Sequence, residues 1–265
     1  MHILARQVRF GIDPFGRDGF TGANSYAGKP TTEGFGLYGS LWVYLKSKLN
    51  RDTGFVVNVS EIDAEVRERV LPFFGRRIRE TCAKQKIPEL PDVYQWLQQS
   101  RELLAQRFGK KPLCRLELEL NPFRKAGIIW EKRKMLVYTE RFEFAAMHKL
   151  WNNRFDEQAN FAMFGQCANP AGHGHNYILA VTVCPPKNKT GWLGHLQKTV
   201  QTEFLSLVDH KNLNCDVKAF AKTNPTVENI AQYAWKKLKG KLTPCKLVEI
   251  TLWENDRTYC RYNED

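Results

Sequence analysis

The feature that most constrains this chain is that its pattern of elements is written twice. In the first half, VRFGID (8–13) alternates apolar and polar residues like a strand, and a Gly- and Pro-rich loop follows from Pro14 to Gly34. LYGSLWVYLKS (37–47) has the β-branched and aromatic density of a second strand. FVVNVSEIDAEVRERVLPFF predicts a short strand entering a helix capped by Ser60, with Pro72 kinking or ending it, and a basic mixed segment then reaches Gln85. A second helix opens at Pro91, with Val93, Trp96, Leu97, Leu103 and Leu104 near one stripe. CRLELEL and KAGIIWE form a closing hairpin. The second half repeats this order with HNYILAVTVC, the turn NKTG, WLGHLQKTVQTEFLSLV, NPTVENIAQYAWKKLK capped by Thr226 or Asn224, and the hairpin KLVEITLWE with RTYCRY. Gly54 aligns with Gly191, Pro91 with Pro225, and Leu116-Glu117-Leu118 with Val248-Glu249-Ile250, at offsets of 137, 134 and 132 residues. Short loop deletions account for that drift. The chain is therefore expected to be α+β, a tandem of two ββααββ units, 1–133 and 134–265.

The copies differ where chemistry would sit. Residues 164–177, FGQCANPAGHGHNY, place His173 and His175 two apart on a strand, so both imidazoles leave the same face. Upstream, MLVYTERFEFAAMHKL ends a strand-like run at His148, which a neighbouring strand can set beside the pair. Three neutral imidazoles without a fourth protein ligand describe an open, catalytic zinc site. Cys167 has two uses open to it, as a base beside the metal or as the fourth ligand of a closed, structural site. The first copy cannot build such a centre: through the Thr-Gly turn His173 faces Gly36 and His175 faces Tyr38, through the third strand Glu254 faces Pro122, and residues 1–133 hold one histidine, His2. His195 falls within a helix and is not a candidate.

Five pieces, FEFAAMHKL, CANPAGHGHNY, VDHKNLN, NPTVENIA and the Glu of LWEND, occur in one order across residues 141–260. In these the chain resembles the 6-pyruvoyltetrahydropterin synthase family, which includes the 6-carboxytetrahydropterin synthases of the queuosine pathway. The resemblance implies a tunnelling fold, whose ββααββ units assemble into a barrel on oligomerisation, a closure that removes exposed strand edges. It further implies a lyase that acts on 7,8-dihydroneopterin triphosphate, releases triphosphate and gives 6-pyruvoyltetrahydropterin or 6-carboxytetrahydropterin. On the same footing Zn2+ is held by His148, His173 and His175, while Cys167, Asp209 and His210 form the catalytic set, the Asp orienting the imidazole, with a subunit contact as a possible meeting place. Glu254 matches the pterin anchor, a carboxylate that accepts two ring N–H groups. Thr226 and Glu228 are placed at the pocket, although Thr-x-Glu at a helix start also reads as capping. The six-residue step from Cys167 to His173 is more like the pyruvoyl-forming branch. One departure is that the second copy reads GWLGHL after its Thr-Gly turn, where the first keeps the apolar GFVVNV.

Composition sets the remaining bounds. Seven cysteines without paired spacing argue for a reducing compartment. No apolar leader or eighteen-residue apolar window is present, so a soluble, cytoplasmic protein without a membrane partner is expected. A net charge of +12 favours an anionic partner. The excess is greater in the half without the histidines, with 23 Lys/Arg against 15 Asp/Glu in 1–133 and 17 against 13 in 134–265. An RNA-binding protein using Trp42, Tyr44 and Trp96 is thus an alternative resting on charge, and a non-catalytic pterin- or nucleotide-binding module with structural zinc is another. Two-copy chains close family-type three-unit rings symmetrically by segregating the copies, so a homotrimer is the expected homo-oligomer.

Overall fold

The computed structural model describes residues 1–15, 36–131, 133–186 and 190–264. It divides into two compact units, Met1–Tyr138 and Thr139–Asp265, against the boundary at 133/134 expected from the repeat. The loop expected from Pro14 to Gly34 lies, from residue 16 on, outside the described residues, as do the first two residues of the NKTG turn.

In the first unit β1 (His2–Ile12) and β2 (Leu37–Ser47) pair antiparallel from His2↔Ser47 to Ile12↔Leu37. β2 pairs in turn with β3 (Leu113–Asn121), and β3 with β4 (Arg124–Ile129), so the order follows the sequence. Alternation decides which face is covered: Leu41, Val43, Leu45, Leu116, Ala126 and Ile128 are fully buried beneath the helices. The alternate residues make a polar layer, in which Glu119 accepts from Gln7, Ser40 and Trp42, and Glu117 accepts from Tyr44 and pairs with Arg115 and Lys125. Burial alone would raise the Glu117 pKa, but Lys125 and Arg115 outweigh it and hold the carboxyl below its usual range.

Three expectations for the first unit are corrected in whole or in part. Residues 55–58 form no strand, so on this point the two copies do not differ. The cap of α1 (Val59–Glu65) is Asn58, whose side chain accepts from the Ser60 N–H, because an Asn side chain reaches the N2 donor. Pro72 does not end the helix. α1 passes through a π-helical turn, Val66–Val70, into α2 (Leu71–Cys82), with the proline as the second residue after that turn. The segment expected to be mixed up to Gln85 is thus helical to Cys82. α3 (Leu90–Phe108) buries Val93, Trp96, Leu97 and Leu104 and partly Leu103, as its stripe predicts, and closes with Gly109 at φ 75°.

The second unit repeats the plan. β5 (Met135–His148) from Thr139 on, β6 (His173–Cys184), β8 (Lys246–Asn255) and β9 (Thr258–Tyr262) form its sheet in the order β5-β6-β8-β9, and a two-residue strand, β7 (Lys211–Asn212), runs parallel to β5 with Ala146↔Lys211 and Met147↔Asn212. Between β5 and β6 lie α4 (Glu157–Phe164) and a 3-10 turn, Gly165–Ala168. α5 (Trp192–Val200) runs through a second π-helical turn, Gln201–Leu205, into α6 (Ser206–Val208). No proline follows this turn, so proline is not what the π geometry requires. A short α7 (Leu213–Asp216) precedes α8 (Val227–Leu238). Tyr177, Leu179, Val181 and Val183 on β6, with Ile250 and Leu252 on β8, pack under Leu196, Phe204, Ile230, Ala234 and Leu238. Both units are therefore ββααββ, with one sheet face under helices. Among the described residues no helix is long and apolar enough to cross a membrane.

Candidate metal centre

β5 ends at His148 and β6 begins at His173. Continuing the inward alternation of Tyr177, His175 and His173 leave β6 on the helix-covered face, just past the point where hydrophobic packing stops. The two strand ends are drawn together by a glycine. Gly172 sits at φ 71°, and a Cβ there would lie 2.9 Å from the His148 carbonyl oxygen, so only a residue without a side chain lets the loop pass this close. The result is a cluster in which one ligand atom from each of His148, His173 and His175 lies within 4.8 Å of the others. His148 Nε2 and His173 Nε2 are 3.1 Å apart. Nitrogens that share a zinc at about 2.0–2.1 Å in tetrahedral geometry stand roughly 3.3 Å apart, so this separation is that of co-ligands.

Protonation follows from the partners. His148 is 1 % exposed, and its Nδ1 is 2.7 Å from the Pro225 carbonyl. A carbonyl only accepts, so Nδ1 carries the hydrogen and Nε2 presents a lone pair to the cluster. Burial pushes the His148 pKa below the ordinary histidine value, against the Pro225 hydrogen bond. His175 is lowered chiefly by burial as well, with Glu254 opposing. Neutral imidazoles are what a metal requires. His175 Nε2 and His173 Nδ1 are buried without a hydrogen-bond partner, a cost of order 1–3 kcal/mol each that a cation on the cluster would relieve at His175. The residues present thus fit a zinc ion.

Other expected site residues fall into two groups. Glu254 is with the cluster, its Oε1 3.7 Å from His148 Nε2 and 3.8 Å from His175 Nε2. Like Cys167, it stands outside the group of three mutually close ligand atoms. Cys167, on the 3-10 turn, has its Sγ 3.7 Å from His173 Nε2, and burial, with Glu254 second, raises its thiol pKa. It stands outside the three-histidine cluster.

The second group has partners of its own. The Asp209 carboxylate accepts from the Ala145 N–H at 3.0 Å and lies 2.9 Å from His210 Nδ1. Burial would raise the Asp209 pKa, but the Ala145 N–H and His210 hold it low. The His210 side chain is 82 % exposed, and its backbone is left-handed at φ 55°. Among the described residues no hydrogen bond links either residue to Cys167 of the same chain. His175 and His210 do line one pocket of about 380 Å³, together with Asn176 and Lys211. Thr226 caps α8 by accepting from the Asn229 N–H, and Glu228 is exposed on the first turn of that helix, near Cys260.

Several residues support the centre without having been singled out. Pro225 orients His148 through its carbonyl, a role no side-chain motif announces. Asn224 Oδ1 accepts from the Trp151 N–H, and Asn229 Nδ2 donates to the Asn224 carbonyl, so NPTVEN is a clamp on the end of β5 as well as a helix start. Tyr177, fully buried, has its hydroxyl 3.5 Å from His148 Nδ1, and burial raises its pKa strongly.

In the first unit β1 ends at Ile12 and β2 begins at Leu37, the places His148 and His173 take in the second. This shifts by one residue the alignment drawn through the Thr-Gly turn. The position of His175 then falls on Gly39, where the Phe10 ring fills the space a Cβ would need.

Residues 137–265 match the 6-pyruvoyl tetrahydropterin synthase family. The chain is 36 % identical over 135 residues to the 6-pyruvoyl tetrahydrobiopterin synthase of Pongo abelii, an alignment covering 49 % of this chain and 93 % of that protein. The structure of Caenorhabditis elegans 6-pyruvoyl tetrahydropterin synthase is similar with TM-score 0.46 and 32 % identity, over 49 % of this chain and 96 % of that one. The uricase of Arthrobacter globiformis matches with TM-score 0.42 and 8 % identity, over 97 % of this chain and 92 % of its own.

Proposed function

Since the chain belongs, through residues 137–265, to the 6-pyruvoyl tetrahydropterin synthase family and carries two ββααββ units of the α+β tunnelling fold, we propose that it is a zinc-dependent lyase acting on 7,8-dihydroneopterin triphosphate. The product is 6-pyruvoyltetrahydropterin or 6-carboxytetrahydropterin, with release of triphosphate. The observation that carries this reading is the convergence of His148, His173 and His175 with a carboxylate and a thiol within 4 Å of one or another of them. A structural zinc would take one of the two as its fourth ligand and leave the other without a role.

His148, His173 and His175 hold the metal, which when bound supplies Lewis-acid stabilisation of charge developing on the substrate's side-chain oxygens. Glu254 accepts the adjacent N–H donors of the pterin ring and fixes its register. Cys167, whose thiol pKa burial and then Glu254 raise in the metal-free chain, takes the proton from carbon, and a cation held by the three histidines would lower that pKa. Asp209 orients His210 by the 2.9 Å contact at Nδ1, leaving Nε2 free for proton transfer. The exposure of His210 favours its delivery to the Cys167 of a neighbouring chain, as in a homotrimer whose C-terminal units share one ring. Thr226 and Glu228 border the substrate from the start of α8.

Incubation with 7,8-dihydroneopterin triphosphate and mass identification of the products tests the assignment. Triphosphate and one of the two tetrahydropterins are expected, and binding without turnover would leave a pterin-binding module instead.

A further inference from the structure

The segment 209–214 does more than carry His210, because it is fastened to the end of β5 and to the residue that follows it. The Asp209 carboxylate accepts from the Ala145 N–H, and the His210 N–H donates to the Ala145 carbonyl at 2.6 Å. Lys211 and Asn212 then pair with Ala146 and Met147. The run ends at Asn214, whose Oδ1 accepts from the Lys149 N–H at 2.8 Å and whose Nδ2 donates to the Lys149 carbonyl at 2.9 Å. Asn214 is set in turn by Asn212, whose Oδ1 accepts its N–H at 3.1 Å. His148 thus lies on a strand end gripped on both sides, at Ala145 to Met147 and at Lys149.

This grip matters because β5 stops at His148. Beyond it single hydrogen bonds replace the ladder, the Leu150 N–H donating to the Cys167 carbonyl and the Trp151 N–H to Asn224 Oδ1, and the His148 carbonyl must stay where Gly172 meets it. An amide side chain that satisfies both the N–H and the C=O of the next residue does the work of one more sheet partner. We propose that Asn214 is a positioning residue for the metal centre, holding the Lys149 peptide so that His148 keeps its place among the three imidazoles and its register with His210. The inference rests on the metal-centre reading given above. Asn214 touches neither the metal position nor a substrate, and it acts through the backbone.

The test is the zinc affinity of the metal-free protein, measured by competition with a chromophoric chelator, together with the visible spectrum of the Co2+-loaded protein. Asn214→Ala is expected to weaken zinc binding about 10- to 100-fold, the range for supporting residues around metal ligands, and to alter the Co2+ bands. Asn214→Asp keeps the acceptor for the Lys149 N–H and recovers part of the loss. Asn58→Ala removes a comparable cap in the other unit and serves as control, since it lowers stability and leaves zinc affinity unchanged. Zinc affinity within twofold of the native value in a folded Asn214→Ala protein overturns the proposal alone. A native protein that takes up no zinc overturns it together with the metal-centre reading.

Discussion

Replacing Gly172 by alanine separates the two costs that the AGHGH loop avoids. The first is conformational: at φ 71° an L-residue sits in the left-handed region, for roughly 1–2 kcal/mol. The second is steric. The added Cβ would stand 2.9 Å from the His148 carbonyl oxygen and 3.2 Å from Met147 Cε, and while the methionine tip can swing away, the carbonyl belongs to the strand end that carries a ligand. Forcing it back by a few tenths of an ångström costs about 1–3 kcal/mol on the scale of overpacked cores, for a total of about 2–5 kcal/mol. Gly191 supplies the comparison. It too has positive φ, 75°, but nothing lies within 4 Å of its would-be Cβ, so Gly191→Ala should lose only the first 1–2 kcal/mol. Urea unfolding of the metal-free proteins measures the difference, and zinc competition shows where it falls, because only the Gly172 variant moves His148 against His173. If Gly172→Ala is no less stable than Gly191→Ala and binds zinc as tightly as the native chain, the close approach does not set the ligand geometry.

Cys167→Ala should retain zinc and lose at least about two orders of magnitude in turnover, the scale of a lost general base; loss of the metal in this variant would instead make the thiol a ligand. Glu254→Gln should weaken pterin binding by about 1.5–3 kcal/mol in calorimetric titration with a ligand lacking phosphates. Its zinc content should change little, and a protein emptied of zinc would turn Glu254, which approaches two of the histidines, into a ligand. Because burial holds His148 and His175 below the free-histidine value, the folded metal-free chain binds fewer protons than the unfolded one as the pH falls past about 6.5. Its stability is therefore complete above that pH and declines below it, and urea midpoints equal at pH 7.5 and 5.5 would contradict the assigned shifts. Light scattering should give about three times the chain mass, and mixing Cys167→Ala with His210→Ala chains should restore part of the activity. No restoration in a trimer of that mass would confine each site to one chain.

What the sequence made legible and what it hid divide along physical lines. Periodicity carries the strands and the stripe of α3, since burial of one face is written directly into residue choice. The histidines were readable for the same reason: spacing two on a strand fixes a shared face whatever the surroundings. The strand alternation also told which copy had lost the centre, though one residue of register was needed to bring Ile12, Leu37 and Gly39 to the ligand places. Backbone partners left no such mark. The Pro225 carbonyl that fixes the His148 tautomer belongs to a residue chosen as a helix start, and Asn214 looks like any turn asparagine until it is seen on Lys149. The π-helical turns were hidden because one extra residue per turn, at Val66–Val70 and again at Gln201–Leu205, shifts the apolar stripe without interrupting it. The absence, among the described residues, of a hydrogen bond between His210 and Cys167 was out of reach for another reason, since motif order says which residues share a chemistry and not which ones bond within one chain.

The central claim is that one metal centre per chain resides in the C-terminal unit on His148, His173 and His175, and elemental analysis of the purified protein tests it most directly. The account predicts about one zinc per chain, and none in a His173→Ala, His175→Ala double variant that remains folded. Two metals per chain, or zinc retained by the double variant, would contradict it.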